Sequence, residues 1–228
     1  MEKEEYIIQY EKRVNKNYDE LSFFINDNLH ILSNLKSVKY EIINCLMIEQ
    51  FQASITITNH FLEKMLKSAL ISKYIEGLKF SDSDELNLKL KEAYKKYDDK
   101  TLKQSIDSAL EIDIINKDEF NYINKVRDDI RNAFSHAQMD KINKGKPERI
   151  KMFSFNINEV QKSIINTATV PKGKELNIST QELGIQALIQ EDHSKSIAYT
   201  YFKSIYTITK NIDVRLDFKK EYYTKNEK

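Results

Sequence analysis

The stretch Val126-Arg127-Asp128-Asp129-Ile130-Arg131-Asn132-Ala133-Phe134-Ser135-His136-Ala137 gathers two of the chain's five arginines and one of its four histidines within ten residues. Every other basic residue except Arg13, Arg149 and Arg215 is a lysine, so arginine is scarce in this chain. A solvated helix face is served equally well by lysine, whereas arginine supplies a permanently charged planar fork that grips a phosphate bidentately. Histidine supplies the side chain whose unperturbed pKa lies near neutrality and which is suited to moving a proton. On an ideal helix, residues five apart point about 140° away from each other. One helix therefore does not aim Arg131 and His136 at the same atom, whereas two copies related by a twofold axis can.

Other chemistry-bearing residues are sparser. His60 stands with Asn59, Glu63 and Lys67 at helical spacing; Glu63 is three residues on and Lys67 seven, so they share a face with His60 that would border a site. A plain hydrogen-bonded histidine is the simpler reading of the same spacing. His30 and His193 carry no such company, and the pairs Asp98-Asp99 and Asp128-Asp129 read as solvated or capping groups. The chain has no Gly-rich phosphate loop, no Gly-x-Ser-x-Gly elbow and no His-Glu-x-x-His pair. With the histidines scattered and a single cysteine, Cys45, the spacing suggests neither a metal site nor a disulfide framework.

The elements that must position these residues are helical. Four Gly and two Pro in 228 residues are too few for the frequent turns of sandwiches and barrels. Apolar periodicity predicts a surface helix over about 2–16 and a second over 20–36 capped by Asp19. A long core helix over 38–76 follows, stopped at Gly77. Further helices are expected over 83–97, over about ten residues around Leu102 to Leu110, and over 117–138, whose stripe includes Phe120, Ile123, Val126, Ile130 and Phe134.

After Met139 the character changes. Lys144-Gly145-Lys146-Pro147 is a turn, and Arg149 to Phe155 alternates loosely enough for a short strand pair near 148–156, with a helix as the alternative. A helix over 157–168, a loop at Val170-Pro171-Lys172-Gly173-Lys174, a capping box at Ser179-Thr180-Gln181-Glu182 and a last helix over 193–210 complete the reading. The expected fold is all-α: an antiparallel helical bundle over 1–143, with a mostly helical C-terminal extension over 144–228 packed on it. Lys and Arg total 36 against 35 acids, so the net charge of +1 excludes a broad electrostatic grip on polyanions and leaves only a local one. No apolar run reaches the length of a membrane span, and the N-terminus Met-Glu-Lys-Glu-Glu lacks a signal peptide's layout. A soluble cytoplasmic protein is expected.

The string Arg131-Asn132-Ala133-Phe134-Ser135-His136 resembles the Arg-x(4 to 6)-His signature of HEPN domains (higher eukaryote and prokaryote nucleotide-binding), in which a polar residue, often Asn, follows the Arg. The setting agrees, since that family carries the motif toward the end of a late helix of an all-helical bundle, and the resemblance covers roughly residues 20–140. It implies a homodimer whose two motifs form one metal-independent, cofactor-free RNA-cleaving centre, in a toxin or phage-defence effector. Carried over residue by residue, Arg131 binds the scissile phosphate and His136 moves a proton to or from the ribose 2′-hydroxyl or the leaving 5′-oxygen. Asn132 orients them. Arg127, Ser135 and His60 complete the candidate set as substrate contacts. Attack by the 2′-hydroxyl leaves a 2′,3′-cyclic phosphate and restricts the substrate to RNA. One subgroup of the family has a Tyr two residues after the His as a target of adenylylation; here that position is Gln138.

A purely structural reading of the motif pairs Arg131 with Asp128 and leaves His136 at a helix C-terminus, where a cation is favoured. At the level of function the alternative is a non-catalytic helical interaction module, RNA-binding or an antitoxin-like or regulatory partner. Nucleotide binding without hydrolysis is a third class, disfavoured by the missing phosphate loop.

Overall fold

The computed structural model describes residues 2–76, 78, 83–135, 148–154 and 174–216, except for the side chains at 133, 135, 153 and 154. The described residues are helical apart from turns and one antiparallel strand pair, as the sequence predicts. The order is α1 (Lys3–Asn26), a 3-10 turn (Ser33–Leu35), α2 (Lys36–Met47), α3 (Phe51–Tyr74), α4 (Ser83–Tyr97), α5 (Leu102–Glu111) and α6 (Lys117–Val126). A π-helical turn (Arg127–Arg131), α7 (Asn132–Ser135), β1 (Arg149–Ser154), β2 (Lys174–Ser179) and α8 (Leu183–Arg215) follow. The expected helix over 157–168, the turn at 144–147, the loop before Lys174 and the stop at Gly77 lie outside the described residues.

Helix ends account for two departures from the sequence reading. The single long helix expected over 38–76 is two, α2 and α3, because Glu49 adopts a left-handed conformation with φ 62°. The Gln50 amide then donates to Cys45 O at 2.7 Å and the Glu49 amide to Leu46 O at 3.1 Å, the paired bonds of a Schellman turn. α5 ends in the same way. Asp113 has φ 58°, the Ile114 amide donates to Ala109 O at 2.8 Å, and the Asp113 amide donates to Leu110 O at 3.2 Å. Glycine usually fills this position; the chain uses acids instead, so the breaks leave no glycine to read. Asp19, expected as a cap, instead lies inside an unbroken α1, where its carbonyl accepts from Ser22 Oγ at 3.0 Å.

The chain divides into two units, residues 1–138 with 194–228, and residues 139–193. This differs from the expected boundary at 143/144. Residues 194–216 form no appendage: Ala198, Tyr201, Phe202, Ile205, Tyr206, Ile208 and Ile212 belong to the same buried core as Phe61, Leu62, Met65 and Leu66 of α3. Each large apolar side chain so buried contributes roughly 1.5–3 kcal/mol, which draws this segment into the centre of the bundle. Phe24 of α1 stacks tilted on Phe202 and edge-on to Tyr206, with centroids 5.1 and 5.5 Å apart. Asp213 accepts from the His30 and Leu32 amides at 2.7 and 2.8 Å, so α8 also holds the connection after α1.

Among the described residues of this unit, Ser105 Oγ is the buried side-chain polar atom without a hydrogen-bond partner, and the Lys39 and Asp27 groups are paired. Lys39 is 1% exposed, donates to Asp27 O, and has its ammonium within 6 Å of the Tyr40 and Tyr206 ring centres, at 5.2 and 5.7 Å. Burial pulls its pKa below the ordinary lysine value despite the nearby Asp27. The Asp27 carboxylate in turn accepts from Tyr206 OH at 3.0 Å and from Lys210 Nζ at 2.9 Å.

In the second unit β1 pairs with β2, Arg149 opposite Ser179 and Ser154 opposite Lys174. Lys151, opposite Asn177 in the ladder, forms a diagonal ion pair with Glu175 at 2.7 Å. The capping role expected of the Ser179 box passes to Glu182, whose carboxylate accepts from the Ile185 amide at 2.9 Å.

Candidate functional site

α6 is fixed before it reaches the motif. Asn116 and Glu119 cap its start reciprocally, each backbone amide donating to the other's side chain at 2.9 Å. Glu119 is 6% exposed and also accepts from Arg215 Nη2 at 2.6 Å and Asn211 Nδ2 at 3.2 Å of α8. Burial works to raise its pKa, but these donors outweigh burial and hold the carboxyl below the ordinary glutamate value. Ile123 and Val126 are buried in the core, which sets the helix's rotation.

At Arg127 the helix widens. The Asn132 amide donates to Arg127 O, five residues back, where an α-helix would reach only four. The helix expected over 117–138 therefore carries a π-turn that coincides with the two arginines. An i to i+5 closure brings residue 132 round toward the face of residue 127, whereas an α-helix would set them about 140° apart. The outcome is visible in the cleft of about 460 Å³ on this side of the bundle, which Arg127, Arg131 and Asn132 line together with Glu63, Thr101, Leu102 and Lys103.

Hydrogen bonds organise the arginine side. Asp128 Oδ1 accepts from Arg127 Nε at 3.1 Å, Arg127 Nη2 at 2.9 Å and Asn132 Nδ2 at 3.4 Å. Asn132 Oδ1 accepts from Arg131 Nη1 at 3.2 Å. Asp128, read from the sequence as a solvated group or a partner for Arg131, thus pairs with Arg127 and orients Asn132, which orients Arg131. Arg131 also acts electrostatically on Tyr201. That buried phenol donates to Asn59 Oδ1 at 2.8 Å, and burial pushes its pKa far above the ordinary tyrosine value despite the arginine.

The opposite wall comes from the start of α5. Thr101 caps it, its Oγ1 accepting from the Gln104 amide at 3.3 Å while Gln104 Oε1 accepts from the Thr101 amide at 2.9 Å. The first helical residues Leu102 and Lys103 line the cleft, so the positive end of a ten-residue helix faces the arginines. Sequence reading passed over this wall, although Thr101-x-x-Gln104 carries a capping-box pattern. The cleft holds Lys103, Arg127 and Arg131 against the single acid Glu63, a local positive site on a chain of near-zero net charge.

Of the candidate residues, the fold brings Arg127, Arg131 and Asn132 to one cleft. His60 lies outside it, exposed on α3, and lines an adjoining groove that shares Glu63 with the arginine cleft. The Ser135 side chain, His136 and Gln138 lie outside the described residues. No group of three His, Cys, Asp or Glu among the described residues is placed to hold a metal ion, and none of their helices is long and apolar enough to cross a membrane.

Comparison with protein-family models, with curated proteins and with solved structures finds no match for this chain.

Proposed function

We propose that this chain is a metal-independent RNA endonuclease of the HEPN type, acting as a cytoplasmic homodimer in the manner of a toxin or defence effector. The observation that carries the reading is the side-chain network Arg127–Asp128–Asn132–Arg131 on a π-turn, facing the positive end of α5 across one cleft. Scarce arginines held by a carboxylate and an amide suit an anion that must be gripped in one orientation. A second copy brings its own motif to the same substrate.

In the reaction the ribose 2′-oxygen attacks the adjacent phosphorus and the bond from phosphorus to the 5′-oxygen breaks. One His136 takes the 2′-hydroxyl proton, and the other gives a proton to the leaving 5′-oxygen. Arg131 stabilises the charge that gathers on the non-bridging oxygens. The products are a 2′,3′-cyclic phosphate and a 5′-hydroxyl end.

The test compares RNA cleavage by the wild type, Arg131→Ala and His136→Ala in EDTA. The expected outcome is full wild-type activity in EDTA, cyclic phosphate ends, and a loss of at least about 10²-fold in each variant. Activity abolished by EDTA, or unchanged in both variants, overturns the mechanism.

A second reading is a helical interaction module that captures a protein partner without cleaving RNA. It is favoured by the exposed apolar positions Tyr6, Ile7 and Tyr10 on α1, at 55%, 42% and 44% exposure. A protein that captures its partner yet cleaves no RNA would support this reading over the first.

A further inference from the structure

The groove beside the arginine cleft lies between α3 and α4. It encloses about 580 Å³, within the range of pockets that hold a small organic group such as a nucleoside. Its lining combines the apolar Ile31, Ile71, Ile75 and Leu90 with the polar His60, Lys64, Ser72 and Tyr94, of which His60 and Tyr94 are exposed. Tyr94 is 53% exposed. Glu63 lines both the groove and the arginine cleft, so the two depressions meet at that residue on α3. Lys67 fixes the junction: its Nζ lies 3.3 Å from Glu63 Oε1 and donates to Asp98 O at the end of α4.

We propose that this groove is the subsite for a nucleotide flanking the scissile phosphate of a single-stranded RNA. Resting on the endonuclease reading above, the inference assigns the flanking base to the apolar lining and the Tyr94 ring, and the flanking phosphate to His60 and Lys64. An apolar lining with an exposed aromatic and basic side chains suits a base with its sugar-phosphate, since stacking on an aromatic ring is available to any base. Sequence preference is therefore weak at this nucleotide. The constraint falls on strand character, because a paired base has its face covered by its neighbours in the helix.

The test is fluorescence anisotropy with two labelled 2′-O-methyl oligouridines, a dinucleotide and a nonanucleotide, which bind but lack the attacking hydroxyl. Tyr94→Ala and Ser72→Glu, both in the groove lining, are compared with the wild type and with Arg131→Ala. The expected result is a loss of about tenfold in nonanucleotide affinity for each groove variant. Dinucleotide affinity should fall in the same variants, since a dinucleotide already carries both nucleosides that flank the phosphate, and Arg131→Ala should weaken both oligonucleotides. Nonanucleotide binding that depends on Arg131 but is unaffected by both groove variants overturns the groove assignment and leaves the endonuclease reading standing. Wild-type protein that binds neither oligonucleotide and cleaves no RNA overturns both.

Discussion

Asp128 receives three hydrogen bonds on one carboxylate oxygen, two from Arg127 and one from Asn132. Its own side chain is 57% exposed, so the value of these bonds to stability is small. Their consequence is orientation: Arg127 is held through two of its nitrogens, and Asn132 is turned so that its oxygen meets Arg131. Asp128→Ala is therefore expected to leave thermal stability within about 0.5 kcal/mol of wild type, as for most surface changes. On the endonuclease reading, RNA cleavage should fall about tenfold, chiefly in kcat, because the fork proposed to grip the phosphate loses its fixed aim. Steady-state kinetics alongside a melting curve checks this. A variant equally active, or one that unfolds, contradicts a positioning role. The identity of the two arginines as special was legible in their scarcity, but the role of Asp128 was not. Helical spacing made Asp128 a natural partner for Arg131, three residues on; the pairing with its immediate neighbour Arg127 depends on side-chain directions that spacing leaves open.

At the level of elements, the motif helix is held at its start by α8. Glu119 and Arg215, 2.6 Å apart, join α6 to α8, and Arg215 also donates to Ile114 O at 2.6 Å. The Glu119 carboxyl has a pKa below its ordinary value of about 4.5, so its contribution to stability is complete above that value. The contribution is lost as pH falls through the depressed folded-state value. Glu119→Gln should be about 2 kcal/mol less stable than wild type near neutrality, because a charged hydrogen-bond partner of Arg215 is removed. The gap should close as pH falls below about 4.5, since the wild-type carboxyl then becomes neutral as well. Urea denaturation at a series of pH values measures it; a gap independent of pH would contradict the linkage.

The helices themselves were readable from apolar spacing, as in Leu62, Met65, Leu66, Ala69 and Leu70 of α3. Their ends were less so. Glu49 and Asp113 occupy left-handed positions where a glycine would have announced the stop. The π-turn at Arg127–Arg131 likewise has no compositional signature, because inserting one residue into a helical turn changes no apolar residue in the string.

On the scale of the molecule, α1 carries one seam from end to end. Ile7, Tyr10, Val14, Asn17, Leu21 and Phe24 recur at alternating intervals of three and four residues. Leu21 and Phe24 are buried, and Asn17 donates to Met47 O at 3.0 Å. Ile7 and Tyr10 continue the same face in exposed positions. The endonuclease reading requires a second copy, and this seam offers it an apolar surface. Ile7→Glu combined with Tyr10→Glu is expected to shift sedimentation from dimer to monomer at micromolar concentration, with cleavage falling as the dimer is lost. Sedimentation unchanged by the double substitution places the twofold contact elsewhere on the bundle.

The sequence by itself determined the all-helical class, since so few glycines and prolines and so regular an apolar period leave little else to build. It also marked the arginine string, because residue types and their rarity are properties of the sequence alone. It placed the last helix in an extension packed on the bundle, since periodicity reports that a helix has an apolar face and not what covers that face. Only tertiary structure set Tyr201, Phe202 and Ile205 into the core beside α3 and carried the start of α5 to the arginines. It also parted His60 from their cleft. The physical reason is common to these cases. Local pattern is fixed by interactions within a few residues, whereas partners far apart in the chain are chosen by the packing that buries the most apolar surface at once.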